Sequence, residues 1–191
     1  MLENQIMNQK RIFIGSFTPH PDLFALFERT KAVFNDKGKF KWTKRPENLH
    51  LTYHFLGNTP VEKIAVLKEI LSDILHQDFE VNIRITGLAY FERRHKPTVL
   101  YARIEDKEQK LKQIYMEIEN RLFKAGFIDE IKEHFVPHIT LARIKKVNKE
   151  FYEAVKSFNN QGIRIDISKL QIDIIESVLL PDGAEYRPLK K

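Results

Sequence analysis

KWTKRPENLHLTYHFLGNT, residues Lys41–Thr59, holds a turn signal, Arg45-Pro46-Glu47-Asn48, followed by a run of β-formers, Leu49–Leu56, that is expected to stop at Gly57. Side chains alternate along a strand, so His50 and Thr52 share one face while Leu49, Leu51 and Tyr53 share the other. HFVPHITLARI, residues His134–Ile144, repeats the pattern: His138 and Thr140 point one way, Ile139 and Leu141 the other. The two histidines stand 88 residues apart, one in each half of the chain. Each element buries an aliphatic face and presents an imidazole beside a hydroxyl.

Outward from these elements the chain alternates strands and helices. Arg11–Phe17 reads as a first strand, and His20–Asn35 as a helix with Leu23, Phe24, Phe27, Val33 and Phe34 on its face. Asn58-Thr59-Pro60 reads as a helix start with a capping side chain before proline, and Val61, Ile64, Leu67, Ile70, Leu71 and Ile74 keep helical spacing. Phe79–Phe91 and Thr98–Ile104 are strand-like on either side of a basic turn at Arg93–Lys96. Leu111, Ile114, Ile118 and Leu122 mark a helix that Gly126 is placed to end. Phe135–Ile144 is strand-like, Asn148 is placed to cap a helix through Phe158, and Ile163–Leu180 with Ala184–Leu189 form a hairpin around Pro181-Asp182-Gly183. No Ser/Gly-rich linker divides the halves. Two related lobes in one compact domain over residues 1–191 are expected, with residues 1–10 a polar lead-in.

Composition narrows the chemistry. The 191 residues are 42% hydrophobic and 30% charged, an ordinary globular balance. The absence of cysteine excludes disulfides, thiol nucleophiles and Cys-based zinc sites. The lead-in has no apolar core, and no apolar run is long enough for a bilayer, so a cytoplasmic protein without membrane contact is expected. A net charge of +6 favours an anionic partner such as RNA or a nucleotide.

A phosphate diester suits the paired elements. Its hydrolysis needs a base to take a proton from water and an acid to protonate the departing oxygen, tasks that two imidazoles divide near neutral pH. Threonine hydroxyls can donate hydrogen bonds to the non-bridging oxygens, where charge sits in the transition state. The scheme calls for no metal and no cofactor. One His-x-Thr is common by chance, and a lone strand histidine is more often structural; two copies with matching flanks favour a paired site. His50/His54 and His134/His138 also have the i, i+4 spacing of helical metal ligands, but Pro137 and the β-branched context argue against helix. The chain has no Gly-x-Ser-x-Gly, no phosphate-binding Gly-rich loop ending in Lys-Ser/Thr and no dinucleotide fingerprint.

With Phe-Leu-Gly after the first motif and Pro137 before the second, the two segments resemble the signatures of the two-histidine phosphoesterases. They look most like the RNA 2′,3′-cyclic phosphodiesterases of bacteria and archaea, also called 2′-5′ RNA ligases. The likeness extends to Arg11–Phe17, Pro97–Arg103, Glu176–Gly183 and Tyr186. It implies a bilobal α+β fold of pseudo-two-fold symmetry, two antiparallel sheets facing a central cleft with helices packed outside. It also implies that His50, Thr52, His138 and Thr140 line the cleft and open a 2′,3′-cyclic phosphate at an RNA 3′ end to a 2′-phosphomonoester, with 2′-5′ ligation as the reverse. His50 is assigned as the acid and His138 as the base, an assignment that near-symmetry leaves open to a swap.

Three further positions are candidate substrate contacts. Arg143 would pair with phosphate or stack on a base, but strict alternation puts it opposite His138, so that role needs a bulge. Phe55 would stack a terminal base, though alternation points it into the core. His54 lies on the predicted cleft face, as a phosphate contact or a solvated rim residue. Lys145-Lys146 and the Arg93–Lys96 turn would steer RNA or simply be solvated. Expected partners are RNA with a cyclic phosphate end, tRNA fragments among them, or a small cyclic nucleotide, met by a monomer. The alternatives are a phosphodiesterase acting on 2′-5′ oligonucleotides or on a cyclic ADP-ribose phosphate, and a non-catalytic RNA-binding module.

Overall fold

The computed structural model describes residues 8–181 and 183–189. Strand β1 (Gln9–Phe17) buries Ile12, Phe13 and Ile14 in succession because it is central: β3 (His50–Pro60) pairs with it on one side and β8 (Asp173–Leu180) on the other. Strand β9 (Gly183–Pro188) completes this group in the expected hairpin with β8. The run expected as one strand, Ile163–Leu180, is broken at Ile172, and only its second part joins this hairpin. The second group comprises β7 (Ile165–Gln171), β4 (Asp78–Arg93), β5 (Lys96–Glu105), β6 (His138–Val147) and β2 (Gly38–Trp42), all antiparallel. The groups join where Leu51 of β3 pairs with Ile139 of β6. The two expected sheets are therefore continuous, nine strands among the described residues in the order β7-β4-β5-β6-β3-β1-β8-β9, with β2 on β6.

Four helices among the described residues cover this sheet. Helix α1 (Pro21–Phe34) starts where His20 Nδ1 accepts the Asp22 N–H, with Pro21 in the first turn, and it buries Leu23, Leu26, Phe27, Thr30 and Phe34. It packs on α4 (Glu150–Asn159), which packs on β4. On the other side α2 (Val61–Ile70) and α3 (Lys110–Lys124) pack on β3. The stripe Leu111, Ile114, Ile118 and Leu122 lies inward as predicted, and α3 closes at Gly126, whose N–H reaches the Phe123 carbonyl. Each such fully buried side chain contributes about 1.5–3 kcal/mol. No helix among the described residues is long and apolar enough to cross a membrane.

Several sequence expectations are corrected. Gln9 and Lys10 are not lead-in but β1, with Lys10 Nζ on Glu176 at 2.7 Å; residues 1–7, and Asp182 of the last turn, lie outside the described residues. Gly57 does not end its strand: at φ +74° it follows Leu56, an extra residue opposite β1, and β3 runs on to Pro60. Helix α2 begins one residue later than expected, and the Thr59 hydroxyl turns back to the Gly57 carbonyl instead of capping. Phe135–Pro137 precede β6 without joining it, and Asn148 donates to the Asp36 carbonyl rather than capping α4.

Candidate active site

The Leu51–Ile139 pair fixes the site. Extending that register by one residue either way sets His50 across from Thr140 and Thr52 across from His138. Leu51 and Ile139 are fully buried on the helix side, so the four predicted polar residues occupy the opposite face, each half-buried.

Both imidazoles are held in the same way. His50 Nδ1 lies 2.6 Å from the carbonyl of Asn48, and His138 Nδ1 lies 2.8 Å from the carbonyl of Val136, two residues back in each case. A carbonyl only accepts, so each Nδ1 carries hydrogen and each neutral ring keeps its lone pair on Nε2. Asn48 ends a 3₁₀ turn, Pro46–Asn48, which is what the Arg45–Asn48 turn signal encodes. Aromatic rings enclose the pair: Phe13 at 4.8 Å, Tyr186 at 4.6 Å and Phe17 at 6.3 Å from His50, Phe91 at 4.8 Å and Tyr101 at 5.2 Å from His138. These rings are the residues that sequence reasoning missed, because only the register brings β1, β4, β5 and β9 to the two motifs. A pocket of about 230 Å³ lined by Lys44, Arg45, Glu47, Asn48, Glu185 and Tyr186 adjoins His50.

Desolvation by this enclosure sets the electrostatics. Burial lowers His50 to about 4, against the opposing carbonyl of Asn48 and with added repulsion from His138. Burial also lowers His138, against the carbonyl of Val136. A depressed histidine binds its proton more weakly folded than unfolded, so stability is full above the unfolded value near 6.5 and falls as pH drops toward about 4. For His50 the loss is on the order of 3 kcal/mol. His50→Asn is expected to remove that slope; urea melts of the variant and wild type between pH 7 and 4 check it, and parallel curves would refute the burial.

The placement of the three candidate substrate contacts has one cause. In β3 the pairing jumps from Gly15–Thr52 to Ile14–His54, leaving Tyr53 as an extra residue. In β6 it jumps from Tyr101–Thr140 to Leu100–Ala142, leaving Leu141 extra. The same bulge thus follows each motif, at the third residue after the histidine, and shifts the alternation by one. The fifth residue returns to the cleft face in both halves. Phe55 stands opposite Phe13, half exposed, with the Arg11 guanidinium 4.9 Å from its ring centre, and is not in the core. Arg143 is exposed beside Lys41 and Val99, and its charge reaches Tyr186. The fourth residue goes to the other face. His54 is therefore not a cleft residue: its Nδ1–H donates to Glu119, a fully buried carboxylate of α3. His50 and His54 face opposite sides of their strand, so their spacing does not gather two ligands.

Comparison with known proteins agrees with this fold. A family profile described as AKAP7 2′5′ RNA ligase-like domain matches residues 33–171. The RNA 2′,3′-cyclic phosphodiesterase of Aquifex aeolicus is 32% identical over 183 residues, covering 94% of this chain and 95% of its own. That of Thermotoga maritima is 30% identical over 143 residues, 75% of this chain and 74% of its own. Among solved structures, TT0787 of Thermus thermophilus shares the fold with a TM-score of 0.70 at 22% identity, over 94% of this chain and 95% of that one. E. coli LigT complexed with 3′-AMP shares it with a TM-score of 0.65 at 18% identity, over 95% and 96%. With both His-x-Thr elements intact at the join of its two strand groups, the chain belongs to the 2′-5′ RNA ligase-like family of two-histidine phosphoesterases.

Proposed function

We propose that the chain opens 2′,3′-cyclic phosphates at RNA 3′ ends to 2′-phosphomonoesters, and that a 5′-hydroxyl attacking in place of water gives 2′-5′ ligation, itself reversible to the cyclic phosphate. The observation that carries this is the matched pair of imidazoles, each with Nδ1–H on a carbonyl two residues back and its lone pair on Nε2. In the forward reaction His138 Nε2 takes a proton from water, whose oxygen attacks phosphorus. The P–O3′ bond breaks, and His50 Nε2 delivers a proton to the departing 3′ oxygen. Thr52 and Thr140 donate to the non-bridging oxygens. His50 at about 4 is neutral in the resting protein, so it takes up its proton with the anionic substrate, whose charge raises its proton affinity. We assign Arg143 and Phe55 to the terminal nucleotide, as a phosphate or base contact and a stacking ring, and give His54 no substrate role. The carbonyl-fixed tautomers favour an enzyme over a binding module, since RNA binding alone has no need of a particular ring nitrogen.

The test is product analysis on an oligonucleotide ending in 2′,3′-cyclic phosphate with EDTA present. A 2′-phosphate end formed at an undiminished rate is expected. A 3′-phosphate end, or loss of turnover with chelator, would overturn the scheme.

A further inference from the structure

Arg103 is exposed on β5 directly across from His138, on the cleft face. Its charge reaches Tyr101, whose ring touches that of His138. The position has no cationic counterpart in the first half, where Phe17 stands opposite His50. What holds Arg103 is a third bulge. In β4 the pairing jumps from Ile85–Ile104 to Gly87–Arg103, leaving Thr86 extra. Arg103 Nε donates to the Thr86 hydroxyl at 3.1 Å, and one terminal nitrogen to the Thr86 carbonyl at 3.3 Å.

The bulge is itself built. Gly87 sits at φ +152°, and a Cβ there would come within 2.5 Å of Asn159 Oδ1. Asn159 of α4 clasps the bulge by accepting the Leu88 N–H at 2.7 Å and donating to the Leu88 carbonyl at 2.9 Å. A guanidinium carries five N–H donors, and Thr86 takes two of them. No carboxylate pairs with Arg103 among the described residues. A preorientated cation with three spare donors, across from His138, suits a phosphate oxygen. Thr86 lies on β4, across β5 from β6, so it draws the guanidinium to the side of β5 away from His138.

We propose that Arg103 binds the phosphate one nucleotide inward from the RNA end, which makes oligonucleotides, not cyclic mononucleotides, the preferred substrate class. The inference rests on the function proposed above and names the part of the substrate that function leaves open. Arg103 is a specificity residue: it touches RNA but not the reacting atoms.

The experiment compares kcat/KM for a 2′,3′-cyclic mononucleotide and a short oligonucleotide with the same cyclic end, in wild type and Arg103→Gln. The preference for the oligonucleotide is expected to fall about tenfold, as for a lost charge-assisted hydrogen bond. The salt dependence on the oligonucleotide should flatten by about 0.7 in logarithmic slope, one single-strand phosphate contact. Thr86→Val, which frees Nε, should shift the preference the same way by a smaller factor. Equal losses on both substrates would place Arg103 at the reacting phosphate or in the fold, and no loss on either would make it a solvated cation; both overturn the proposal. Binding of an oligonucleotide ending in 2′-phosphate reads the same contact without turnover, with about tenfold weaker affinity expected in the variant and equal affinity refuting it. Should the wild type open neither cyclic phosphate, the functional reading fails while this binding measurement still decides on Arg103.

Discussion

His50→Ala and His138→Ala are each expected to lower kcat/KM on a cyclic-phosphate RNA end by about three orders of magnitude, within the range that one general acid or base supplies. The two losses separate by leaving group. The departing 3′ oxygen is an alkoxide that must be protonated as it leaves, whereas nitrophenolate leaves without help. On a nitrophenyl phosphodiester His50→Ala should regain most of its deficit, and His138→Ala, which still lacks the base, should not. Rescue of His138→Ala instead would exchange the roles, and full activity of either variant on RNA would remove the site.

The pH profile adds a second signature. kcat/KM reports free enzyme, in which His50 holds its proton weakly, near 4, and His138 is also lowered. The productive form, with His50 charged and His138 neutral, is richest on the acid side of neutrality and thins as pH rises. kcat reports the complex, where phosphate raises His50, so its optimum should lie at higher pH than that of kcat/KM. Coincident optima would mean that the substrate's charge does not reach His50.

Local pattern was enough to put His50, Thr52, His138 and Thr140 on one face, because all four precede the bulges and obey strict alternation from an aliphatic pair, Leu51 and Ile139. It failed one turn of reasoning later. A bulge is written in which residue lacks a partner across the ladder, and Tyr53 and Leu141 look like ordinary β-formers. The requirement that Arg143 needs a bulge was legible; that Phe55 needs the same one, and that His54 changes faces because of it, becomes visible only when the two motifs are superposed with their partners β1 and β5. Strand β2 was illegible for a related reason. Phe40 and Trp42 alternate with lysines like any edge strand, but nothing local indicates pairing with β6, a hundred residues away. The rings around the histidines likewise come from four separate strands.

The displaced His54 gives the largest expected effect on stability. Glu119 is fully buried, accepting from His54 and, at 3.2 Å, from the Lys132 N–H. Lys132 lies in the segment that leads to His138, and its carbonyl accepts the Tyr115 hydroxyl at 2.7 Å. Phe135 of the same segment stacks on Tyr115 and Tyr53 at 4.4 and 6.3 Å. His54→Leu leaves a buried carboxylate without its imidazole partner, which costs about 3 kcal/mol, or roughly 6–12 °C in Tm for a chain of this size. Adding Glu119→Leu should restore most of that, since apolar replacement of both members of a buried pair is often neutral. Well below the lowered Tm, His54→Leu should keep kcat within a few-fold of wild type, because the residue lies behind the sheet against Glu119. Loss of kcat with an unchanged Tm would instead return His54 to the cleft and undo the bulge that this reading of the site depends on.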